Sequence, residues 1–121
     1  MKTILFLDDN NIIFENVSPF LKEIGYNVVY CNNSRSAFNY ISDNDVNLFL
    51  TDIYMNTEYG FDVLETLKEK GFNFKTGIIS ACDYIDNELR KRNLTCDIII
   101  EKPFEVDNLI LEINNLLKAG D

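Results

Sequence analysis

The chain contains no histidine and no tryptophan, and only three of its 121 residues are cysteines. Without histidine it lacks the usual general base, a common transition-metal ligand and any phosphohistidine of its own. Cys31, Cys82 and Cys96 are an odd number with no close spacing, so they fit neither a disulfide framework nor a zinc site. Carboxylate, hydroxyl and lysine chemistry remains.

Long apolar runs and basic residues are also scarce. The first apolar run, residues 4–7, ends at Asp8 and is far too short for a signal peptide or a membrane-spanning segment. The chain has eleven basic and twenty acidic residues, and its formal charge of −9 repels nucleic acid and anionic lipid. We therefore expect a soluble, cytoplasmic protein that contacts neither nucleic acid nor membrane directly.

The length of the chain limits its domain organisation. With 121 residues, 46% of them hydrophobic, it can bury one core but is too short for two ordinary domains. We predict a single domain over residues 1–121. Residues 119–121, Ala-Gly-Asp, are either the end of this domain or the start of a linker.

Short apolar runs alternate with segments of helical spacing, which is typical of an α/β protein. The apolar runs cover residues 4–7, 28–30, 48–50, 77–79 and 98–100. Five amphipathic segments lie between and after them, and the clearest is the stripe over residues 106–117. Because parallel strands need crossover connections, we predict a parallel sheet with helices on both faces.

The first helical stripe, over residues 13–24, contains a proline in its interior. Proline removes a backbone donor, so we expect Pro19 to bend the helix or to mark a break near residues 16–18. Gly25 follows this stripe and is a suitable helix stop.

Polar residues stand at the carboxyl ends of four of the predicted strands. Asp8 and Asp9 follow the first strand, Asp52 the third, Ser80 the fourth and Lys102 the fifth. In an open parallel sheet these ends share one edge, where ligands bind beside the reversal of strand order. We therefore expect the five residues to converge on one pocket.

A cluster of carboxylates repels itself and is tolerated only beside a cation. Mg²⁺ is the natural candidate, since it prefers oxygen ligands and keeps several waters. Two carboxylates and a backbone carbonyl would leave room for a phosphoryl oxygen. Asp52, alone on a central strand, is the candidate nucleophile that would form an aspartyl phosphate. Mg²⁺ and Lys102 would stabilise the charge of the transferring group.

Four segments together resemble the receiver domain of response regulators over nearly the whole chain. They are FLDDN, LTDIYMNTEYGFDVLETL, IISACD and EKPF, in that order along the chain. The resemblance implies a flavodoxin-like fold: one doubly wound, five-stranded parallel sheet in the order 2-1-3-4-5, with five flanking helices.

The resemblance also implies a magnesium site. Asp9 would ligate Mg²⁺ directly, and Asp8 mainly through a water molecule. The acceptor Asp52 and the backbone carbonyl of Tyr54 would complete the protein ligands.

The resemblance further implies which residues and partners take part in phosphoryl transfer. Ser80 would move to hydrogen-bond the phosphoryl group, and Lys102 would contact it, with the Lys102-Pro103 peptide in the cis form. The donor would be the phosphohistidine of a sensor histidine kinase or of a phosphotransfer protein. The signal would pass to a downstream protein or to a C-terminal output domain, and the chain would catalyse only its own phosphorylation and dephosphorylation.

Two positions depart from the receiver pattern. Asn56 stands where the family usually has proline, which would loosen the loop after the acceptor. Ile99 stands at the switch position on the fifth strand, where the family usually has tyrosine or phenylalanine. Isoleucine cannot swing an aromatic ring between exposed and buried states, so the standard output mechanism is in doubt.

Ordinary structural roles explain each motif taken alone. Asp8 and Asp9 suit a helix N-cap, and a lone Lys-Pro dipeptide is common in loops. Tyr54, two residues after Asp52, could shield an acyl phosphate, whereas Cys82 is better explained as an incidental surface residue. The joint occurrence of all four segments, at strand ends and with the spacing of one known site, favours the receiver function.

Three other functions share part of this residue pattern. A haloacid dehalogenase-type hydrolase would need an aspartate two residues after its nucleophile, but Asn10 stands two residues after Asp8. A flavodoxin-type flavin module would need a phosphate-binding first loop, from which Asp8 and Asp9 would repel the phosphate. The main alternative is a receiver-like interaction module that acts independently of phosphorylation, as the substitution at Ile99 permits.

Overall fold

The computed structural model describes residues 1–118, so the possible linker at residues 119–121 lies outside the described residues. Each predicted apolar run corresponds to one strand, and each helical segment to one helix. The elements are β1 Thr3–Leu7, α1 Ile12–Ile24, β2 Asn27–Cys31, α2 Ser34–Asp43, β3 Leu48–Thr51, α3 Gly60–Glu69, β4 Lys75–Ser80, α4 Ile85–Lys91, β5 Ile98–Glu101 and α5 Val106–Lys118. Within this described part of the chain, no helix has the length and apolar character needed to span a membrane.

The strands form one parallel sheet in the order β2-β1-β3-β4-β5. This order confirms the predicted fold class. At the carboxyl ends, Leu7 of β1 pairs with Cys31 of β2 and with Thr51 of β3, and Ser80 of β4 pairs with Glu101 of β5. The segments that follow β1, β3, β4 and β5 therefore start from one edge of the sheet.

Two hydrophobic cores lie on opposite faces of this sheet. Successive side chains of a strand point to opposite faces, so Leu5 and Phe49 belong to one core while Ile4 and Leu48 belong to the other. Helices α2, α3 and α4 cover the first core, and α1 and α5 cover the second. Strands β1 and β3 are buried along their whole length, which explains why their sequences are continuously apolar rather than alternating.

Helix α1 continues through Pro19, so the predicted break near residues 16–18 is wrong. The proline removes one backbone donor, but Val17 and Leu21 on either side of it are fully buried and hold the helix against the sheet. The predicted stop is confirmed: Gly25 has a left-handed φ of 117°, and its amide donates to the carbonyl of Lys22 at 3.0 Å.

Candidate functional site

Asp52 lies directly after β3 and is almost completely buried. Its backbone amide donates to the carbonyl of Leu7 at 3.1 Å, which ties it to the end of β1. Its carboxylate accepts a hydrogen bond on each oxygen, from the amide of Ile53 at 2.7 Å and from Nζ of Lys102 at 2.8 Å. Two predicted site residues that are fifty positions apart in sequence are therefore in direct contact, and one oxygen of the carboxylate has its charge compensated by Lys102.

Gly60 at the start of α3 makes this position of Asp52 possible. Its amide donates to the carbonyl of Ile53 at 2.9 Å. A Cβ atom at position 60 would lie 2.2 Å from the backbone oxygen of Asp52, well inside any allowed contact. Only glycine lets the first turn of α3 approach the acceptor segment this closely.

Asp8 is half-buried beside the acceptor, at the end of β1. One carboxylate oxygen accepts from the amide of Asn10 at 3.1 Å, and the hydroxyl of Tyr30 donates to the carbonyl of Asp8 at 2.8 Å. Burial, and to a smaller extent the negative charge of Asp52, raises the pKa of the Asp8 carboxyl to about 6. The pocket therefore disfavours a second negative charge, which is the condition that a bound cation relieves.

Asp9 is exposed and faces the loop that follows β3. Its Oδ2 atom accepts from the backbone amide of Asn56 at 2.7 Å. A proline at position 56 would have no amide hydrogen, so this link between the first and third strand-end loops depends on the departure from the family pattern. The departure was predicted to loosen the loop, but in the structure the amide of Asn56 adds a hydrogen bond between the two loops.

Ser80 is completely buried at the end of β4. Its hydroxyl oxygen accepts from the amide of Cys82 at 3.1 Å, and its carbonyl accepts from the amide of Lys102 at 3.0 Å. The Lys102-Pro103 peptide is cis, as predicted. Cys82 is buried in the core on the α3 and α4 side of the sheet, so its interpretation as a surface residue is wrong.

Three tyrosine hydroxyls meet beside the site, a feature that the sequence analysis missed. The hydroxyl of Tyr54 donates to that of Tyr84 at 3.0 Å, and the hydroxyls of Tyr84 and Tyr59 are hydrogen-bonded at 2.9 Å. Tyr54 and Tyr59 also form an isolated antiparallel bridge through their backbones. No spacing rule in the sequence links Tyr84 to the other two tyrosines, because their hydroxyls are brought together by the packing of separate loops.

Ile99 lies on β5, opposite Ile78 of β4. It is half-buried and packs against the core beneath α3 and α4. Its side chain therefore contributes to packing and carries no polar group that could respond to the acceptor.

The expected metal ion would be bound by carboxylates and by a backbone carbonyl. Over residues 1–118, no three acidic or cysteine side chains are gathered as a complete metal site. The expected set needs only two direct carboxylates, Asp9 and Asp52, with the carbonyl of Tyr54 and a water held by Asp8. These oxygen donors fit a hard cation such as Mg²⁺. Burial, and to a smaller extent the charge of Asp52, raises the pKa of Asp8, and a cation beside these carboxylates would favour their charged forms.

Comparison with known proteins identifies the family. The family model described as the response regulator receiver domain matches residues 4–114, which is nearly the whole chain. The chain belongs to this family. The receiver domain of Francisella response regulator 1452 superposes with a TM-score of 0.86 at 25% identity, and each chain is covered over 100% of its length.

Two further relatives extend this comparison. The heme response regulator HssR of Staphylococcus saprophyticus is 27% identical over 118 residues, which are 98% of this chain and 52% of that protein. This receiver domain thus spans about half the length of the curated relatives that it matches. The response regulator TrrA of Thermotoga maritima, solved in complex with Mg²⁺-BeF, superposes with a TM-score of 0.80 at 26% identity, over 96% of this chain and 99% of that one.

Proposed function

We propose that this receiver domain accepts a phosphoryl group on Asp52, in a Mg²⁺-dependent reaction, and changes its binding to a partner in response. The donor would be the phosphohistidine of a sensor histidine kinase or of a phosphotransfer protein. The observation that carries the proposal is the contact between Asp52 and Lys102 at the carboxyl edge of the sheet, with Asp8 and Asp9 on the adjacent loop. The reaction would take place in the cytoplasm, without direct contact to nucleic acid or membrane.

The nucleophile of the transfer is the carboxylate of Asp52. An O–P bond forms to this carboxylate while the P–N bond of the donor's phosphohistidine breaks, and the electron pair stays on the imidazole nitrogen. The amide of Ile53 holds one oxygen of Asp52 and so fixes the direction of the carboxylate. Near-complete burial of Asp52 limits the number of waters that surround it.

Lys102 and Ser80 would stabilise the transferring group. Lys102 already contacts Asp52, so a small displacement would bring its ammonium group to the phosphoryl oxygens. The hydroxyl oxygen of Ser80 accepts a bond from Cys82, which leaves its proton available for a phosphoryl oxygen.

Asp9, Asp52, the carbonyl of Tyr54 and, through water, Asp8 would hold Mg²⁺, which when bound supplies positive charge to the transferring phosphoryl group. The backbone amide of Asn56 orients Asp9 by donating a hydrogen bond to its Oδ2 atom.

The response would pass to a downstream protein or to a C-terminal output domain. The lengths of the curated relatives support the second possibility, since about half of each lies outside the matched region. A second candidate function is an interaction module that acts independently of phosphorylation, and it is favoured by the aliphatic Ile99 at the switch position.

The test is intact-mass analysis after incubation with a small acyl-phosphate donor, with and without Mg²⁺. We expect a phosphoryl adduct that requires Mg²⁺, is lost in Asp52→Asn and is retained in Asp43→Asn, which changes an exposed aspartate at the end of α2. Absence of the adduct from the native chain, together with absence of Mg²⁺ binding, would reject this function in favour of the interaction module.

A further inference from the structure

The two loops that flank the acceptor site are joined by three hydroxyl groups. We call Tyr54, Tyr59 and Tyr84 the tyrosine clasp. Tyr54 follows Asp52 by two residues, and Tyr84 follows Ser80 by four and stands at the start of α4. The hydroxyl of Tyr84 is hydrogen-bonded to both other hydroxyls, at 3.0 Å to Tyr54 and at 2.9 Å to Tyr59. Tyr84 is therefore the centre of the clasp.

Tyr59 anchors the clasp to the framework around the acceptor. Its backbone bridges Tyr54, and the next residue, Gly60, packs against the backbone of Asp52. Its ring contacts Phe61 edge-on, with centroids 5.3 Å apart, and Phe61 is fully buried. Burial, and then the hydrogen bond with Tyr84, raises the pKa of the Tyr59 hydroxyl to about 12, so this group stays protonated at physiological pH.

Helix α4 is short, and the apolar side chain of Ile85 in its first turn packs into the core. It is seven residues long and buries only Ile85 and Leu89. Its C-terminal end is held by Arg92, which pairs with Asp62 of α3 at 2.7 Å. At the N-terminal end, the side-chain link from α4 to the acceptor loop runs through the hydroxyl of Tyr84.

Strand β5 contains no aromatic residue that could connect the acceptor loop to α4. Ile99 is aliphatic and packs into the core, so it makes no polar contact with the acceptor loop or with α4. The tyrosine clasp instead connects the start of α4 to the loop after β3, through the hydrogen bond between Tyr54 and Tyr84.

We propose that Tyr84 is a positioning residue that ties the acceptor loop to the first turn of α4 and thereby links phosphorylation of Asp52 to the position of that helix. This inference rests on the proposed phosphorylation of Asp52. When Ser80 turns toward a phosphoryl group, its bond with Cys82 rearranges, and Tyr84 lies two residues further along the same loop. The displacement changes the hydroxyl bonds to Tyr54 and Tyr59, and the start of α4 moves with them.

The experiment compares Tyr84→Phe with the native chain by amide hydrogen exchange over Ile85–Lys91, before and after phosphorylation by a small acyl-phosphate donor with Mg²⁺. Phenylalanine keeps the ring, so the core contact with Phe61 remains. Tyr40→Phe, which changes a tyrosine of α2, is the matched control.

Before phosphorylation, we expect α4 to exchange about fivefold faster in Tyr84→Phe, which corresponds to the loss of roughly one net hydrogen bond. Exchange at the native rate in the unphosphorylated variant would overturn the tie to α4, and this arm does not depend on phosphorylation. After phosphorylation, we expect exchange over α4 to change in the native chain and in Tyr40→Phe but much less in Tyr84→Phe. An equal change in all three would overturn the link to Asp52. If the native chain forms no adduct, the proposed function fails, whereas the first arm still decides the tie.

Discussion

The edge of the sheet around Asp52 and the side formed by α4 and β5 are built in different ways. At the acceptor edge, charged groups and backbone amides meet directly, as in the contact of Asp52 with Lys102 at 2.8 Å. On the α4 and β5 side, Ile99 packs into the core, tyrosine hydroxyls meet at the start of α4, and Arg92 pairs with Asp62 beyond its end. Phosphoryl chemistry needs particular atoms at particular places, whereas packing accepts other side chains of suitable size. Changes at the acceptor edge should therefore have large effects on phosphorylation, and changes on the other side small ones.

The largest effect is expected for Lys102→Ala. Removing its ammonium group takes away one of the two positive charges that would stabilise the transferring group, so phosphorylation by a small acyl-phosphate donor should slow about 100-fold. A time course of intact mass measures the rate. Lys91→Ala, which removes an exposed lysine of α4, should keep the native rate. Equal rates in the two variants would remove the distinction between the two regions.

Gly60→Ala tests the backbone of the acceptor edge. The added Cβ would meet the carbonyl of Asp52 at 2.2 Å, so the backbone must shift, and we expect a loss of about 2 kcal/mol in the free energy of unfolding. Denaturant unfolding gives this value, and the phosphorylation rate should also fall.

Gly71→Ala is the matched control for that change. Gly71 has a positive φ of 81° but has no atom near its Cβ position, so alanine there should cost about 1 kcal/mol of stability and leave phosphorylation unchanged. If Gly60→Ala were as mild as Gly71→Ala, the close approach of α3 to Asp52 would not matter.

The pH dependence of stability tests the tyrosine clasp. The pKa of Tyr59 is about 12 in the folded protein and 10.0 without perturbation. Between these values the unfolded chain has lost the proton while the folded chain keeps it, so stability should fall as the pH rises from 10 to 12. The slope, measured by denaturant unfolding, should be shallower in Tyr59→Phe than in the native chain or in Tyr40→Phe. A native slope in Tyr59→Phe would contradict the raised pKa.

The smallest effect is expected for Ile99→Tyr. The residue is half-buried on β5 and takes no part in the hydrogen bonds of Asp52, so its replacement should change stability by less than about 1 kcal/mol. The rate of adduct formation should equal that of the native chain in the intact-mass assay. A marked loss of phosphorylation would show that the two regions are coupled in their chemistry and not only in their output.

The sequence-based predictions were most accurate where one local pattern dictates the structure. The run at residues 48–50 became β3, and the stripe at residues 106–117 became α5, because burial of a continuous or a periodic apolar face leaves few alternatives. Local rules were less reliable where tertiary contacts compete with them. Burial of Val17 and Leu21 carries α1 through Pro19, and Cys82, which was predicted to be a surface residue, lies in the core.

The amino-acid sequence by itself determined the alternation of strands and helices and placed Asp9, Asp52 and Lys102 at the ends of strands. It did so because hydrophobic periodicity is local and because the ends of parallel strands share one edge. Only the tertiary structure decided which groups touch, such as the amide of Asn56 with Asp9 and the hydroxyl of Tyr84 with Tyr54. These contacts join loops that are 47 and 30 positions apart in sequence. Their geometry depends on how the strands are registered and how the helices pack, which no local pattern encodes.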